Sequence, residues 1–385
     1  MTAAAPRSAI SLAALAVTQV VAWGVLYYAI LVAAPAMAVE TGWDEQTIFV
    51  AITVGLLASA VCAVPVGHWL DKHPRRVMVI GAGVGIAAML AAAASPNIWW
   101  FAASWLVCGA AQSAVLYQAA FTVITHRYRT ARRGPLTLVT LAGGLASTVF
   151  APLTGWLIVE AGWRLTFVAL AAILAVVALP TYAFTVERSW FHLEAQRSGD
   201  GAAQKIVRST RFWILTGSLA LLSFSLYAVT LAAVPASVEK GLSLQAAAWV
   251  LGLIGAGQVL GRLLYLAVPH TAAPWIAPAI IGLLGAGALT TYALATGPVA
   301  IFATAIVAGA VRGALTLVQA SAVSDRWGPD SYGRLNGVLS APVSALTALA
   351  PGAAALLATA TGSYEAMALL MAGVCAIGGL LVIRR

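Results

Sequence analysis

Long apolar runs separated by short polar breaks dominate the chain, and these runs predict its elements. They fall at approximately 9–37, 46–68, 77–95, 98–126, 135–159, 163–186, 211–237, 243–269, 274–295, 298–323, 335–360 and 363–383. A helix rises ~1.5 Å per residue and a bilayer core is ~30 Å thick, so each run is of spanning length. None alternates with a period of two, which argues for helices and against a membrane barrel. The pattern therefore predicts an all-α membrane protein with twelve transmembrane helices.

Most breaks are only a few residues long, such as Glu40–Glu45, Ser95–Asn97 and Thr361–Gly362. The exception is ERSWFHLEAQRSGDGAAQKIVRST at 187–210, near the midpoint. It divides the chain into an N-terminal six-helix bundle (1–186), a cytoplasmic linker (187–210) and a C-terminal six-helix bundle (211–385). The halves also repeat. VGLLASAVCAVPVGHWLDKHPRR (54–76) lies over LGLIGAGQVLGRLLYLAVPHTAA (251–273) at an offset of 197, matching Gly55 with Gly252, His73 with His270 and Pro65 with Arg262. Two parallel, pseudo-symmetric six-helix repeats are a transporter design, with substrate held near the midplane.

Composition agrees. The chain is 62% hydrophobic and 9% charged, against about 25% charged in a soluble domain. A net charge of +9 would suit nucleic acid in a soluble protein, but here it records orientation. With the N-terminus inside, eighteen Lys and Arg fall on cytoplasmic segments, Arg164 and Lys240 fall outside, and Arg312 lies in mid-membrane. The carboxylates divide six and six, so Lys and Arg alone carry the bias, as expected for a multi-pass protein with both termini cytoplasmic. The first apolar run is too long for a signal-peptide core and is read as a retained helix.

Charge inside the spans is the chief functional signal. Arg312 sits in an apolar run, roughly 20 Å along the helix from Pro298 and a similar distance from Asp325. An arginine at the bilayer centre costs at least ~2.5–3.5 kcal/mol, so something must compensate for it, either a protein carboxylate or a bound substrate. No Asp, Glu or Lys lies in the middle of any predicted span; Glu40, Asp44, Glu45, Glu160, Glu239 and Glu365 are all at outer ends. By elimination, a bound anion balances Arg312, and a cage of backbone carbonyls is the competing explanation. Arg262, about 10 Å from Pro269, reaches either the cavity or the headgroup region. A guanidinium pairs a carboxylate or phosphate through two parallel hydrogen bonds.

Other signals are absent or structural. Cys62, Cys108 and Cys375 are scattered within apolar runs, and the five histidines lie at cytoplasmic interfaces, so neither a metal nor a cofactor is expected. No carboxylate pair or activated nucleophile points to catalysis. GAGVG (81–85) and GLIGAGQVLG (252–261) lie inside spans, where small residues let helices pack closely.

The loop GHWLDKHPRR (67–76) resembles the signature G-x-x-x-D-(R/K)-x-G-(R/K)-(R/K) loop of the major facilitator superfamily, with Pro74 where that pattern has Gly. The resemblance implies that fold, and a conformational gate made by Gly67, Asp71, Arg75 and Arg76. Gly109–Tyr117, HRYRTARRGPLTLVTLAGG (126–144) and WGPDSYGRLNG (327–337) resemble the monocarboxylate transporter and oxalate/formate antiporter branch. That branch carries D-x-x-x-R on its eighth helix, where this chain has Gln258 and Arg262; its first-helix signature survives as Trp23-Gly24.

Polar and aromatic residues complete the candidate site: Gln19, Trp23 and Tyr27 on one face of the first span, and Gln112 and Tyr117 on the fourth. Ser223, Ser225 and Tyr227 lie on the seventh, Thr316 and Gln319 on the tenth. The expectation is a secondary active transporter of the bacterial inner membrane, a monomer moving a mono- or dicarboxylate with a proton or a counter-anion. Arg312, Arg262, Gln258, Gln112, Tyr117, Tyr27, Trp23 and Gln19 would bind substrate. The rival is an exporter of neutral or hydrophobic compounds in which Arg312 is structural.

Overall fold

The computed structural model describes residues 5–70, 72–128, 133–188, 200–267, 276–327 and 332–383, and these are helical nearly throughout. Among them, ten stretches are long and apolar enough to cross a bilayer, and Tyr364–Leu380 adds a shorter apolar helix. The longest stretch, Gly134–Thr185, has 52 residues, which would extend ~78 Å as one rod. Its backbone breaks at Gly162 (φ 76°, ψ 164°), so it makes two crossings and the total is twelve. In chain order, span 1 is Ile10–Thr41, span 2 Glu45–Ala63, span 3 Pro74–Ala93 and span 4 Ile98–Ile124; spans 5 and 6 flank Gly162. Span 7 is Thr210–Leu231, span 8 Leu244–Tyr265, span 9 Ile276–Leu294, span 10 Pro298–Ser321, span 11 Gly337–Thr361 and span 12 Tyr364–Leu380.

Three spans are interrupted along their length. Span 1 passes through a π-helical turn at Gly24–Tyr28. Span 4 is broken at Leu116 (φ −80°, ψ −162°) into Ile98–Val115 and Tyr117–Arg127. Span 7 ends at Leu231, and the expected run to 237 continues as a separate short helix, Ala233–Glu239. Within the linker stretch, Asp200–Val207 forms a helix, while 189–199 lies outside the described residues.

The chain divides into two compact units, Met1–His192 with Ser243–Gly252, and Leu193–Leu242 with Leu253–Arg385. Ser243–Gly252 groups with the first unit because Gly155 faces Ala248 and Gln245 Nε2 donates to Pro152 O at 3.2 Å.

Each unit builds its core on the same device, a glycine that lets two helix backbones touch. In the first unit a Cβ on Gly109 would lie 1.8 Å from the Gly55 carbonyl oxygen; in the second, one on Gly309 would lie 2.1 Å from that of Ile254. The paired contacts set the structural repeat at 199–200 positions, where the overlay of 54–76 on 251–273 has 197. Left-handed glycines keep the same spacing: Gly42 with Gly241, and Gly162 with Gly362.

The helix ends near these glycines are capped by charge. Arg164 Nη1 donates to Ala93 O (2.8 Å) and Ser95 O (2.9 Å), where span 3 ends. Lys240 Nζ does the same work at the end of span 9, donating to the carbonyls of Tyr292, Ala293 and Ala295. A cation at a helix C-terminus satisfies orphan carbonyls and the macrodipole together. Burial pushes Lys240 below the ordinary lysine value, and Glu365 and Glu239 oppose that.

Candidate functional site

Arg312 projects from span 10 into its own unit. It is 2% exposed. Its Nη1 donates to Thr230 Oγ1 at 2.9 Å, and the guanidinium carbon stands 3.8 Å over the Tyr227 ring. Tyr227 and Thr230 are three residues apart on span 7, hence on one face. The Thr230 hydroxyl donates its own proton to Leu226 O at 2.6 Å, so it meets the guanidinium with a lone pair. A guanidinium over an aromatic face is stabilised by ~0.5–2 kcal/mol, more as water is excluded.

Spans 8 and 10 hold this arrangement by direct backbone contact. A Cβ on Gly257 would lie 2.2 Å from Ile306 O and one on Gly261 1.9 Å from Ala310 O; one on Gly313 would lie 2.1 Å from Gln258 O. The glycines therefore interlock the helices on either side of Arg312, with its neighbour Gly313 resting on the Gln258 carbonyl. Gln258 and Arg262, one turn apart, are each 4% exposed, and Gln258 Nε2 has no hydrogen-bond partner among the described residues. Arg262 is thus covered by protein instead of extending from the surface. Further along span 10, Gln319 Nε2 donates to Ser223 Oγ of span 7.

The remaining sequence candidates gather in the first unit. Gln19 is fully buried, and its Nε2 donates to Val115 O at 2.8 Å, the carbonyl at the break in span 4. Tyr182 Oη of span 6 donates to the same oxygen at 3.2 Å. Gln112 Nε2 donates to Leu26 O at 2.8 Å, inside the π-helical turn of span 1. Trp23 packs between Tyr27 (5.0 Å between ring centroids) and Tyr117 (4.8 Å), and Tyr117 stacks on Phe121 at 5.2 Å. Tyr117 Oη donates to Thr140 O at 3.2 Å.

Of the gating set, Asp71 lies outside the described residues. Arg75 Nε donates to Val186 O at 2.7 Å and its N–H to Glu187 O at 3.3 Å; Arg76 is exposed. Gly67 is half-buried, its Cβ position 3.3 Å from Gln118 Nε2. The sequence did not single out the strongest contact here. Arg127 grips Glu187 with Nε on Oε1 (2.7 Å) and Nη2 on Oε2 (2.8 Å), and also donates to Thr185 O. The start of span 3 and the ends of spans 4 and 6 are thereby tied together. Thr230, Tyr182, Arg127 and Glu187 were all missed as site residues. Only Thr230 carried a local signal, its spacing of three from Tyr227.

A family model described as Major Facilitator Superfamily matches residues 15–277. A bacterial homolog to the human lysosomal transporter Spinster is similar in structure, with TM-score 0.74 at 16% identity over 98% of this chain and 96% of that one. The nucleoside transporter NupG gives 0.74 at 14% identity over 97% and 98% of the respective chains. A POT family transporter in complex with 5-aminolevulinic acid gives 0.76 at 12% identity over 97% and 95%. No curated protein matches the chain by sequence.

Proposed function

Because the chain belongs to the Major Facilitator Superfamily, and is therefore a multi-pass secondary transporter and not an enzyme, we propose that its substrate is a small organic anion. A mono- or dicarboxylate paired by Arg312 fits best. The observation that carries this is Arg312 itself, 2% exposed within span 10, seated on Tyr227 and oriented by Thr230. A guanidinium cannot be neutralised by losing a proton, and it presents donors in the planar fork a carboxylate matches. Arg262 and Gln258 on span 8 add a second buried cation and an amide donor to the same unit. The resemblance of 109–117, 126–144 and 327–337 to the monocarboxylate and oxalate/formate branch supports the same class. Exchange of one anion for another, or entry of the carboxylate with a proton, balances charge. The bias of basic residues supports cytoplasmic placement of both termini, and we further propose that the protein works as a monomer in a bacterial inner membrane. Its structural neighbours share the fold across unlike cargoes, so side-chain chemistry and not the fold distinguishes the substrate.

A second proposal has one specific observation behind it: the contacts of Arg312 with Thr230 and Tyr227 are internal to its unit, as a structural arginine's would be. The chain would then export neutral or hydrophobic compounds. Thermal unfolding of the purified protein against a panel of mono- and dicarboxylates, with neutral isosteric esters as controls, separates the two. Stabilisation by acids alone supports the anion reading; stabilisation by esters alone overturns it.

A further inference from the structure

The first unit contains buried polar atoms that no anion needs. Gln19 has 0% exposure; one end of its carboxamide is committed to Val115 O, and the other, Oε1, accepts no hydrogen bond among the described residues. One turn on, the buried Trp23 Nε1 donates none. Residues four apart on a helix have Cβ atoms about 5–6 Å apart, so the orphan acceptor and the orphan donor lie one turn apart on the same face of span 1 without pairing with each other. Leaving each unsatisfied costs about 1–3 kcal/mol. Val115 O cannot relieve the indole N–H, since Gln19 and Tyr182 already donate to it, and as an acceptor it has nothing to offer Gln19 Oε1.

The surroundings restrict what would complete the pair. Trp23 packs on Tyr27 and Tyr117, and Tyr117 on Phe121; none of these carries a charge. Tyr117 also begins the half-helix Tyr117–Arg127 after the break in span 4, an end that favours an acceptor oxygen. An ionised carboxylate would oppose its lone pairs to Gln19 Oε1. A group with a carbonyl beside an N–H or O–H satisfies both sides: its oxygen accepts from Trp23 Nε1, and its hydrogen goes to Gln19 Oε1.

We infer that Gln19 and Trp23 form a subsite for an un-ionised carboxamide or carboxyl group on a flat body that packs against the cluster of Trp23, Tyr27 and Tyr117. This subsite is independent of Arg312. The test is titration of the purified full-length protein with benzamide, acetophenone and benzoate, followed by thermal unfolding and binding calorimetry. Benzamide has both donor and acceptor; acetophenone matches its size but lacks the donor. Benzamide is expected to bind at least about fivefold more tightly, the effect of one hydrogen bond. Benzoate is expected to gain affinity as pH falls toward about 4, where a carboxyl group begins to protonate.

Trp23→Phe should weaken benzamide about five- to tenfold, and Arg312→Ala should leave it unchanged. Equal affinity for benzamide and acetophenone overturns the subsite, as does wild-type benzamide affinity in a folded Trp23→Phe protein. Loss of benzamide binding in a folded Arg312→Ala protein overturns its independence. The acetophenone comparison needs no variant, so it decides the matter even where Trp23→Phe does not fold. Failure here with a positive carboxylate panel leaves the anion proposal standing, and the reverse holds equally.

Discussion

Gln19 and Gln112 each hydrogen-bond the backbone of the other's helix, at the point where that helix is irregular. Gln19 reaches Val115 O beside the break in span 4, and Gln112 reaches Leu26 O within the π-helical turn of span 1, both at 2.8 Å. A distorted turn frees a carbonyl from its intrahelical partner, and in hydrocarbon water cannot replace it. The two glutamines therefore stabilise the distortions and join spans 1 and 4.

The first prediction follows directly. Gln112→Leu keeps the side chain's bulk but removes the donor to Leu26 O, and should cost about 1–3 kcal/mol. Detergent-solubilised protein should melt lower, with transport falling only as far as folded protein falls. If melting is unchanged and substrate affinity drops, Gln112 contacts substrate and the cross-link is incidental.

Arg312 is the second. Arg312→Ala removes the proposed anion partner, so carboxylate-induced stabilisation should vanish while folded yield stays near normal. Arg312→Lys keeps a positive charge but loses the planar fork and its stacking on Tyr227, and should bind at least about tenfold more weakly. Wild-type transport by both variants would remove Arg312 from the site. A protein that fails to fold as alanine but folds as lysine would favour the structural role.

How much of this was legible beforehand depends on which force set each feature. The twelve spans follow from length and apolarity, and both survive without tertiary context. The boundary at Gly162 was readable because only glycine adopts that φ cheaply. The break at Leu116 was not: Leu-Tyr carries no breaker, and the distortion is held by Gln19 and Tyr182, distant in sequence. Arg312 stood out as a lone charge in an apolar run. Its seat on Tyr227 and Thr230 needed the packing of span 7. Glu187 looked like the first residue of a linker because opposite charges 60 positions apart announce nothing locally.

A third prediction concerns the glycine contacts between spans 8 and 10. Gly309→Ala places a methyl 2.1 Å from the Ile254 carbonyl, whereas Cβ atoms built at Gly83 and Gly287 meet nothing within 4 Å. Overpacking of this kind typically costs about 1–3 kcal/mol, and here the obstacle is backbone, which cannot rotate away. Gly309→Ala should lower the melting temperature and disturb carboxylate binding, since separating the helices moves Gly313 and with it Arg312. Gly83→Ala and Gly287→Ala should be neutral or slightly stabilising, by at most ~1 kcal/mol. Equal effects at all three positions would mean that spans 8 and 10 are not in backbone contact.

The last prediction turns on Arg127 and Glu187. Their bidentate geometry is good, but the Glu187 side chain is 38% exposed and that of Arg127 14%, so solvent and salt screen the pair and its stability contribution is about 1 kcal/mol or less. Its larger effect should be kinetic. With Arg75 bonded to Val186 O and Glu187 O, the pair fastens the end of span 6 to spans 3 and 4, and any transport step that parts these helices must break it. Glu187→Gln should therefore alter the transport rate while leaving substrate affinity and melting near wild type, and high salt should move the wild-type rate in the same direction. The charge-swapped double variant, Arg127→Glu with Glu187→Arg, should recover part of the difference. A double variant no closer to wild type than either single change, together with a salt-independent rate, would show that the contact has no part in the cycle.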